Sequence, residues 1–346
     1  MDVVDFQQSE HVTETLAPAI TDLAGAWGVI ERLRARLRAA VRGRDEVIEV
    51  IIVAMLADGH ILLEDYPGSG KTTLAKALGD SIIDDNPHDN IVTFRRIQFT
   101  PDLLPSDVTG TTIFDPNTNK FSFRPGPIFA HIVLADEINR TSPKVQAAML
   151  EAMAEKQITV DDHSYELDEL FFVIATQNPL DLAGTYPLPR PQLDRFLFKI
   201  RMNHIAREDE LKVLAEYPVP RLERAAALPG VSRDELLAAR GALRNLVTIH
   251  PAMREALVEL AGQLRAEPRL VNGVSTRSLM LLMPALQARA LAYGRDYVSP
   301  EDLQQLAPYV FQHRVEPAPG VDDVDAVVRE SIARQVERLA RLSLAR

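Results

Sequence analysis

The chain has 346 residues, 46% of them hydrophobic, with 38 Lys+Arg against 49 Asp+Glu and a formal net charge of −11. That balance excludes bulk attraction to DNA or anionic membrane, and the absence of cysteine excludes disulfides, thiolate metal sites and a cysteine nucleophile. The length suits two domains, each able to bury its own core. Residues 1–25 are polar and acidic and read as a tail. With Asp2, Asp5 and Glu10 they lack the basic start of a signal peptide, so a soluble cytoplasmic protein is expected. From Ala26 to Arg44, Ile30, Leu33, Leu37 and Val41 recur at helical spacing. Arg32, Arg34, Arg36 and Arg38 between them read as a solvated face, with a subunit contact or nucleic-acid patch as alternatives. The longest apolar run, Val47–Ala57, is broken by Glu49 and is too short to span a bilayer, so no membrane insertion is expected.

Beyond it, short apolar strands alternate with helical segments: Ile61–Leu63, Ile91–Phe99, Ile132–Ala135, Leu170–Ala175 and Phe196–Ile200. This rhythm predicts an α/β domain, a five-stranded parallel sheet covered on both faces. Two hairpins interrupt it as insertions: Thr111–Phe114 with Lys120–Phe123, and Ile158–Val160 with Tyr165–Leu167 around Asp161-Asp162-His163. A Pro-rich stretch with Pro218, Pro220 and Pro229 reads as a linker, and the remainder reads as helical. Ser299-Pro300-Glu301-Asp302 has the form of a helix start. The expected division is a tail (1–25), an α/β domain with two hairpin insertions (26–216), a linker (217–234) and a helical domain (235–346).

Pro67-Gly68-Ser69-Gly70-Lys71-Thr72 lies between an apolar strand and a helix, the context of a phosphate-binding loop. Glycines at 68 and 70 let successive N–H groups converge on an anion at a helix N-terminus. Lys71 would bridge the β- and γ-phosphates and the Thr72 hydroxyl would ligate Mg²⁺, with Thr73 in the same nucleotide-binding segment. Asp65 stands where this loop usually has its first glycine and is read as a tolerated variant. The alternative is a glycine-rich turn that binds nothing. Ile132-Val133-Leu134-Ala135-Asp136-Glu137 is an apolar strand ending in two acids. Asp136 would hold Mg²⁺ through its water shell and Glu137 would polarise an attacking water. Asn178, in Ala175-Thr176-Gln177-Asn178-Pro179, could orient the same water, or be an Asn favoured before Pro in a turn.

These residues, with Gln98-Phe99-Thr100-Pro101-Asp102-Leu103-Leu104-Pro105-Ser106-Asp107-Val108-Thr109-Gly110, Pro125-Gly126-Pro127-Ile128-Phe129 and Leu193-Asp194-Arg195-Phe196, resemble the MoxR-type AAA+ ATPases of the helix-2-insert clade. The resemblance runs from about Val41 to Arg314. It implies an AAA+ core followed by a helical lid, and assembly into a ring, usually a hexamer, with ATP at subunit interfaces. It further implies Asn178 as sensor 1, Arg195 as an arginine finger acting on the neighbour's γ-phosphate, and Arg277, in Gly273-Val274-Ser275-Thr276-Arg277, as sensor 2. Both arginine roles suit a permanently charged, forked donor. Val41-Arg42-Gly43 lies where the family packs adenine. Here Arg44 follows where relatives commonly have Gln, and Arg190 stands where they often have Glu. The two hairpins match the clade's insertions and by analogy point toward the ring pore, or else simply cover an edge.

The expected function is ATP hydrolysis, with ATP and Mg²⁺, driving chaperone-like remodelling or maturation of protein clients. By family resemblance these include a von Willebrand A-type partner. A DNA motor or loader is a second reading: Lys120, Phe121, Phe123 and Arg124 in the first hairpin favour it, and Asp161 and Asp162 in the second have the wrong sign. A non-hydrolysing nucleotide switch is a third and a small-molecule kinase a fourth. His131, His163 and His250 fall in no metal-ligand spacing.

Overall fold

The structure, a computed structural model, describes residues 20–65, 68–84, 91–117, 119–178, 184–216 and 221–344. Most of the N-terminal tail, Pro67, and the linker's Pro218 and Pro220 lie outside the described residues. All five expected strands are present: β1 (His60–Asp65), β2 (Val92–Gln98), β3 (Ala130–Asp136), β4 (Phe172–Gln177) and β5 (Phe196–Met202). They form one parallel sheet in the order β5-β1-β4-β3-β2. Side chains alternate across it, as strand geometry requires. Ile61, Leu63, Ile132, Leu134, Phe172 and Ile174 enter one core, and Leu62, Val133, Ala135, Val173 and Ala175 enter the other.

The first core is covered by α1 (Leu23–Ala40), α2 (Asp45–Leu56) and α3 (Lys71–Gly79), the second by α4 (Pro143–Glu155). The C-terminal helices are α5 (Arg233–Leu246), α6 (Pro251–Ala266), α7 (Thr276–Ala292), α8 (Pro300–Phe311) and α9 (Val324–Leu344). Their apolar faces join the first core without a break, because α2 is buried on nearly every side and seats between the sheet and α7. The expected start of α8 is present: buried Asp302 accepts from the Ser299 N–H at 2.8 Å and also holds Arg289 and Arg295. Among the described residues no helix is long and apolar enough to cross a membrane.

Three readings are corrected. The α1 arginines are only in part a solvated face: Arg38 is exposed and Arg32 half-buried, but Arg34 and Arg36 are buried. Arg34 forks onto Glu49 at 2.6 and 2.7 Å and reaches the Ala292 carbonyl, and Arg36 donates to the carbonyls of Leu228 and Asp80. The second hairpin is Gln157–Val160 with His163–Glu166, so its turn is Asp161-Asp162 and His163 pairs with Val160. Both turn residues have positive φ, 49° and 62°, as a two-residue loop between twisted strands requires. The stretch expected as linker contains a helix, Arg221–Ala226, and Val231–Ser232, which pairs with Ile82–Ile83. The first hairpin is present as Gly110–Asp115 with Lys120–Pro125.

Candidate functional site

The phosphate loop leaves the C-terminal end of β1 and enters α3 at Lys71. Gly68 and Gly70 have φ of 89° and 91°, a region costly to any L side chain. A Cβ on either would meet nothing within 4 Å, so the cradle opens onto free space. Pro67 lies outside the described residues, while Ser69, Lys71 and Thr72 are half-buried and Thr73 is exposed. The hydroxyl of Thr72 and the carboxylate of Asp136 are hard oxygen donors of the kind Mg²⁺ takes.

Asp136 closes β3 and is buried. The Thr176 hydroxyl donates to its Oδ1 at 2.7 Å, Lys71 Nζ stands 3.4 Å from the same oxygen, and Arg96 donates to Oδ2 at 2.6 and 3.1 Å. Burial alone would raise the Asp136 pKa. Thr176, Arg96 and Lys71 outweigh it and hold the carboxyl below its ordinary value. The residue is therefore an anion at neutral pH, held by cations that a divalent ion could replace.

Glu137 takes a left-handed backbone, φ 61° and ψ 47°, which a non-glycine residue adopts only when its surroundings hold it there. Its N–H donates to Thr176 Oγ1 at 2.8 Å, so one hydroxyl on β4 fixes both acids at the end of β3. The Glu137 carboxylate accepts from Gln98 Nε2 at 2.8 Å and lies 3.4 Å from Arg140. Asn178 follows β4 directly, and because β4 lies between β1 and β3 it emerges between the phosphate loop and Asp136.

Val41 and Gly43, expected on the adenine side, precede α2. Gly43 has φ of 67°, and a Cβ there would lie 2.9 Å from Asp209 Oδ2 and 3.0 Å from Ile205, so only glycine fits. The segment after β5 is thereby packed on 41–43. Arg44, buried, donates to the carbonyls of Ser69 in the phosphate loop, at 3.1 Å, and of Asn203 after β5. It ties together the loop and the two chains that flank it.

Arg195 and Arg277 do not join this group. Arg195 precedes Phe196, which pairs with His60 at the start of β1, whereas the phosphate loop follows the end of β1. The separation along the strand is about 17 Å at 3.3 Å per residue. Arg195 donates to the Leu150 carbonyl of α4 at 2.7 Å. Arg277 is exposed in the first turn of α7. Arg314, whose pKa is lowered chiefly by burial and further by the nearby Arg277 charge, bonds Asp194 and Phe196, so Arg277 falls on the Arg195 side. Arg190 pairs with Glu316 of the lid.

Arg96, Gln98 and Thr176 escaped the reading of the sequence. Arg96 and Gln98 lie in β2, and only the pairing of β2 with β3 sets them beside the two acids.

A sequence model of the ATPase family associated with various cellular activities (AAA) matches residues 60–198, and one of the AAA lid domain matches residues 262–335. The chain is 44% identical over 308 residues to the uncharacterized protein YeaC of Bacillus subtilis, covering 88% of this chain and 92% of that one. It is 34% identical to the chaperone MoxR1 of Mycobacterium tuberculosis, covering 85% and 77%. Identity to protein MoxR of Methylorubrum extorquens is 28%, covering 87% and 91%. A crystal structure of a Cytophaga hutchinsonii protein assigned as an ATPase superposes with a TM-score of 0.79 at 34% identity, covering 90% of this chain and 96% of that one.

Proposed function

The chain belongs to the MoxR-type AAA+ ATPases, and from that premise we propose that this chaperone-like ATPase works as a hexameric ring that remodels or matures client proteins in the cytoplasm. A client with a von Willebrand A-type domain is the expected partner. ATP occupies the loop of Gly68, Gly70 and Lys71, with its base between Val41–Gly43 and the segment after β5. The observation that carries this reading is the convergence of Lys71, Asp136, Thr176 and Glu137 at one end of the sheet, with Arg195 at the other.

In this scheme backbone N–H groups of the loop and Lys71 receive the phosphates, and Thr72 and Asp136 hold Mg²⁺. The ion, when bound, neutralises charge on the β- and γ-oxygens. Glu137 accepts the proton of the attacking water and Asn178 orients that water. Arg195 is about a strand's length from its own triphosphate and serves the site of the next protomer, and Arg277 acts on the same side. A finger in trans is worth about 10³–10⁵ in rate, so the isolated protomer is a weak catalyst.

The test is Glu137→Gln in the full chain, followed by nucleotide binding, ATP turnover and sedimentation. The expected result is retained binding, ATP-dependent assembly and lost turnover. Wild-type turnover in this variant, or turnover per protomer that does not change on dilution of the wild type to monomers, overturns the proposal.

A further inference from the structure

The lid carries a buried arginine that makes no contact with its own phosphate loop. Arg314 follows α8, and its side chain is 2% exposed. Nη2 donates to the carbonyls of Asp194, at 3.1 Å, and Phe196, at 2.7 Å, and Nη1 donates to the carbonyls of Leu197, at 3.2 Å, and of Val310 in α8. Nε stands 3.0 Å from Asp194 Oδ1, an ion pair without an aligned N–H bond. The residue between Asp194 and Phe196 is Arg195.

Two neighbouring contacts hold the same segment to the lid. Gln312 Nε2 donates to the Lys199 carbonyl, and Arg190 pairs with Glu316, which also accepts from Asn272 at 2.7 Å. Burying a guanidinium is costly, and here the cost is offset by three carbonyls and one carboxylate of the core. Only Arg carries a planar fork able to reach carbonyls on both sides of one residue, and Lys could satisfy only part of this set. Arg277 opens α7 of the same lid.

We propose that Arg314 is a positioning residue for the trans-acting arginine: by gripping the main chain on both sides of Arg195 it fixes where that side chain, seated on the Leu150 carbonyl of α4, is presented to the neighbour. It thereby ties the finger to the lid through the main chain on both sides of Arg195. This rests on reading Arg195 as a finger in trans, and the experiment separates the two.

The experiment uses full-length Arg314→Ala and Arg314→Lys beside Arg195→Ala. ATP turnover, binding of a fluorescent ATP analogue and thermal melting are measured for each variant alone and mixed with Lys71→Ala. Alone, Arg314→Lys lowers kcat by about 10–100-fold, the scale of an ångström-level misplacement, and leaves KM and analogue affinity within about twofold. A Lys71→Ala subunit cannot bind nucleotide but keeps an intact finger, so mixed rings regain turnover with Arg314→Lys as they do with Arg195→Ala. Arg195→Ala/Arg314→Lys turns over no more slowly than Arg195→Ala alone. Rescue of Arg195→Ala without rescue of either Arg314 variant puts Arg314 on its own protomer's site and overturns the proposal, as does a double variant whose losses multiply. Rescue of neither, with mixed rings demonstrated, removes the trans finger and this proposal with it. If Arg314→Ala does not fold, Arg314→Lys carries the whole comparison.

Discussion

Thr176→Val is the sharpest test of how the candidate site is built. The substitution keeps the shape of a wholly buried side chain and removes only its hydroxyl. That hydroxyl donates to Asp136 Oδ1 at 2.7 Å and accepts from the Glu137 N–H at 2.8 Å. A hydrogen bond to a charged acceptor is worth about 1.5–3 kcal/mol, and a buried N–H left without a partner costs about 1–3 kcal/mol. The loss should therefore be about 3–5 kcal/mol, a large part of the roughly 5–15 kcal/mol that holds a typical protein folded. Function should fall as well, because the Glu137 N–H then loses its partner on a left-handed backbone whose cost is about 1–3 kcal/mol. Urea unfolding gives the stability and ATP turnover gives the activity. Thr176→Ser, which keeps both bonds, should retain most of each. A Val variant within about 1 kcal/mol of wild type and equally active would refute this account of the site.

Gln98→Ala removes the amide that donates to the Glu137 carboxylate, leaving that carboxylate one bond freer. Basal turnover without client should rise by up to about tenfold, the worth of one charge-assisted bond, and a fall would make Gln98 an aligning group instead. Acid should destabilise the fold well above the carboxylate range. His60 and His313 are buried with pKa values lowered by burial, His60 to about 4. The Val173 N–H donates to His60 Nδ1 at 3.0 Å, leaving the proton on Nε2 to meet the Met153 carbonyl at 3.0 Å, so the folded state holds the ring neutral. Between about pH 6.5 and 4 the unfolded chain therefore binds more protons than the folded one, and stability present above that window is lost as pH falls, at up to about 3 kcal/mol per pH unit for two groups. His60→Asn should halve that slope in urea titrations run across this range, and an unchanged slope would show that other groups set it.

The sheet was legible because five largely apolar runs are each too short for a helix and are separated by helical stretches. Their ends were less so. β1 runs two residues beyond Leu63 because main-chain pairing with β5 continues through Glu64 and Asp65, and Glu64 is accommodated by Lys199, Gln177 and Arg201. The α1 arginines could not be read locally. Their acceptors, the carbonyls of Asp80, Leu228, Gly230 and Ala292, are supplied by chain between 44 and 258 residues away. The pairing of Ile82–Ile83 with Val231–Ser232 joins two-residue strands, which carry no periodicity. Gly68, Gly70, Lys71, Asp136 and Glu137 were legible because bending backbone around an anion restricts which residue types can serve. Arg96, Gln98 and Thr176 were not, since a polar side chain in a strand declares no role until the neighbouring strand is known.

Two departures from the usual pattern have local explanations that differ in kind. Asp65 occupies the first glycine position of the loop, yet it is the last residue of β1, paired with Met202, and its backbone is extended. Extended backbone suits any L residue, so the bend begins later and the glycines that need positive φ are Gly68 and Gly70. Arg44 does more than fill a position. As a buried cation it takes the carbonyls of Ser69 and Asn203, which a shorter amide could not span together with the same charge. Its contacts tie the phosphate loop to the segment after β5. A change at Arg44 should therefore weaken binding of a fluorescent ATP analogue, whereas a change at Asp65 should leave that binding nearly intact.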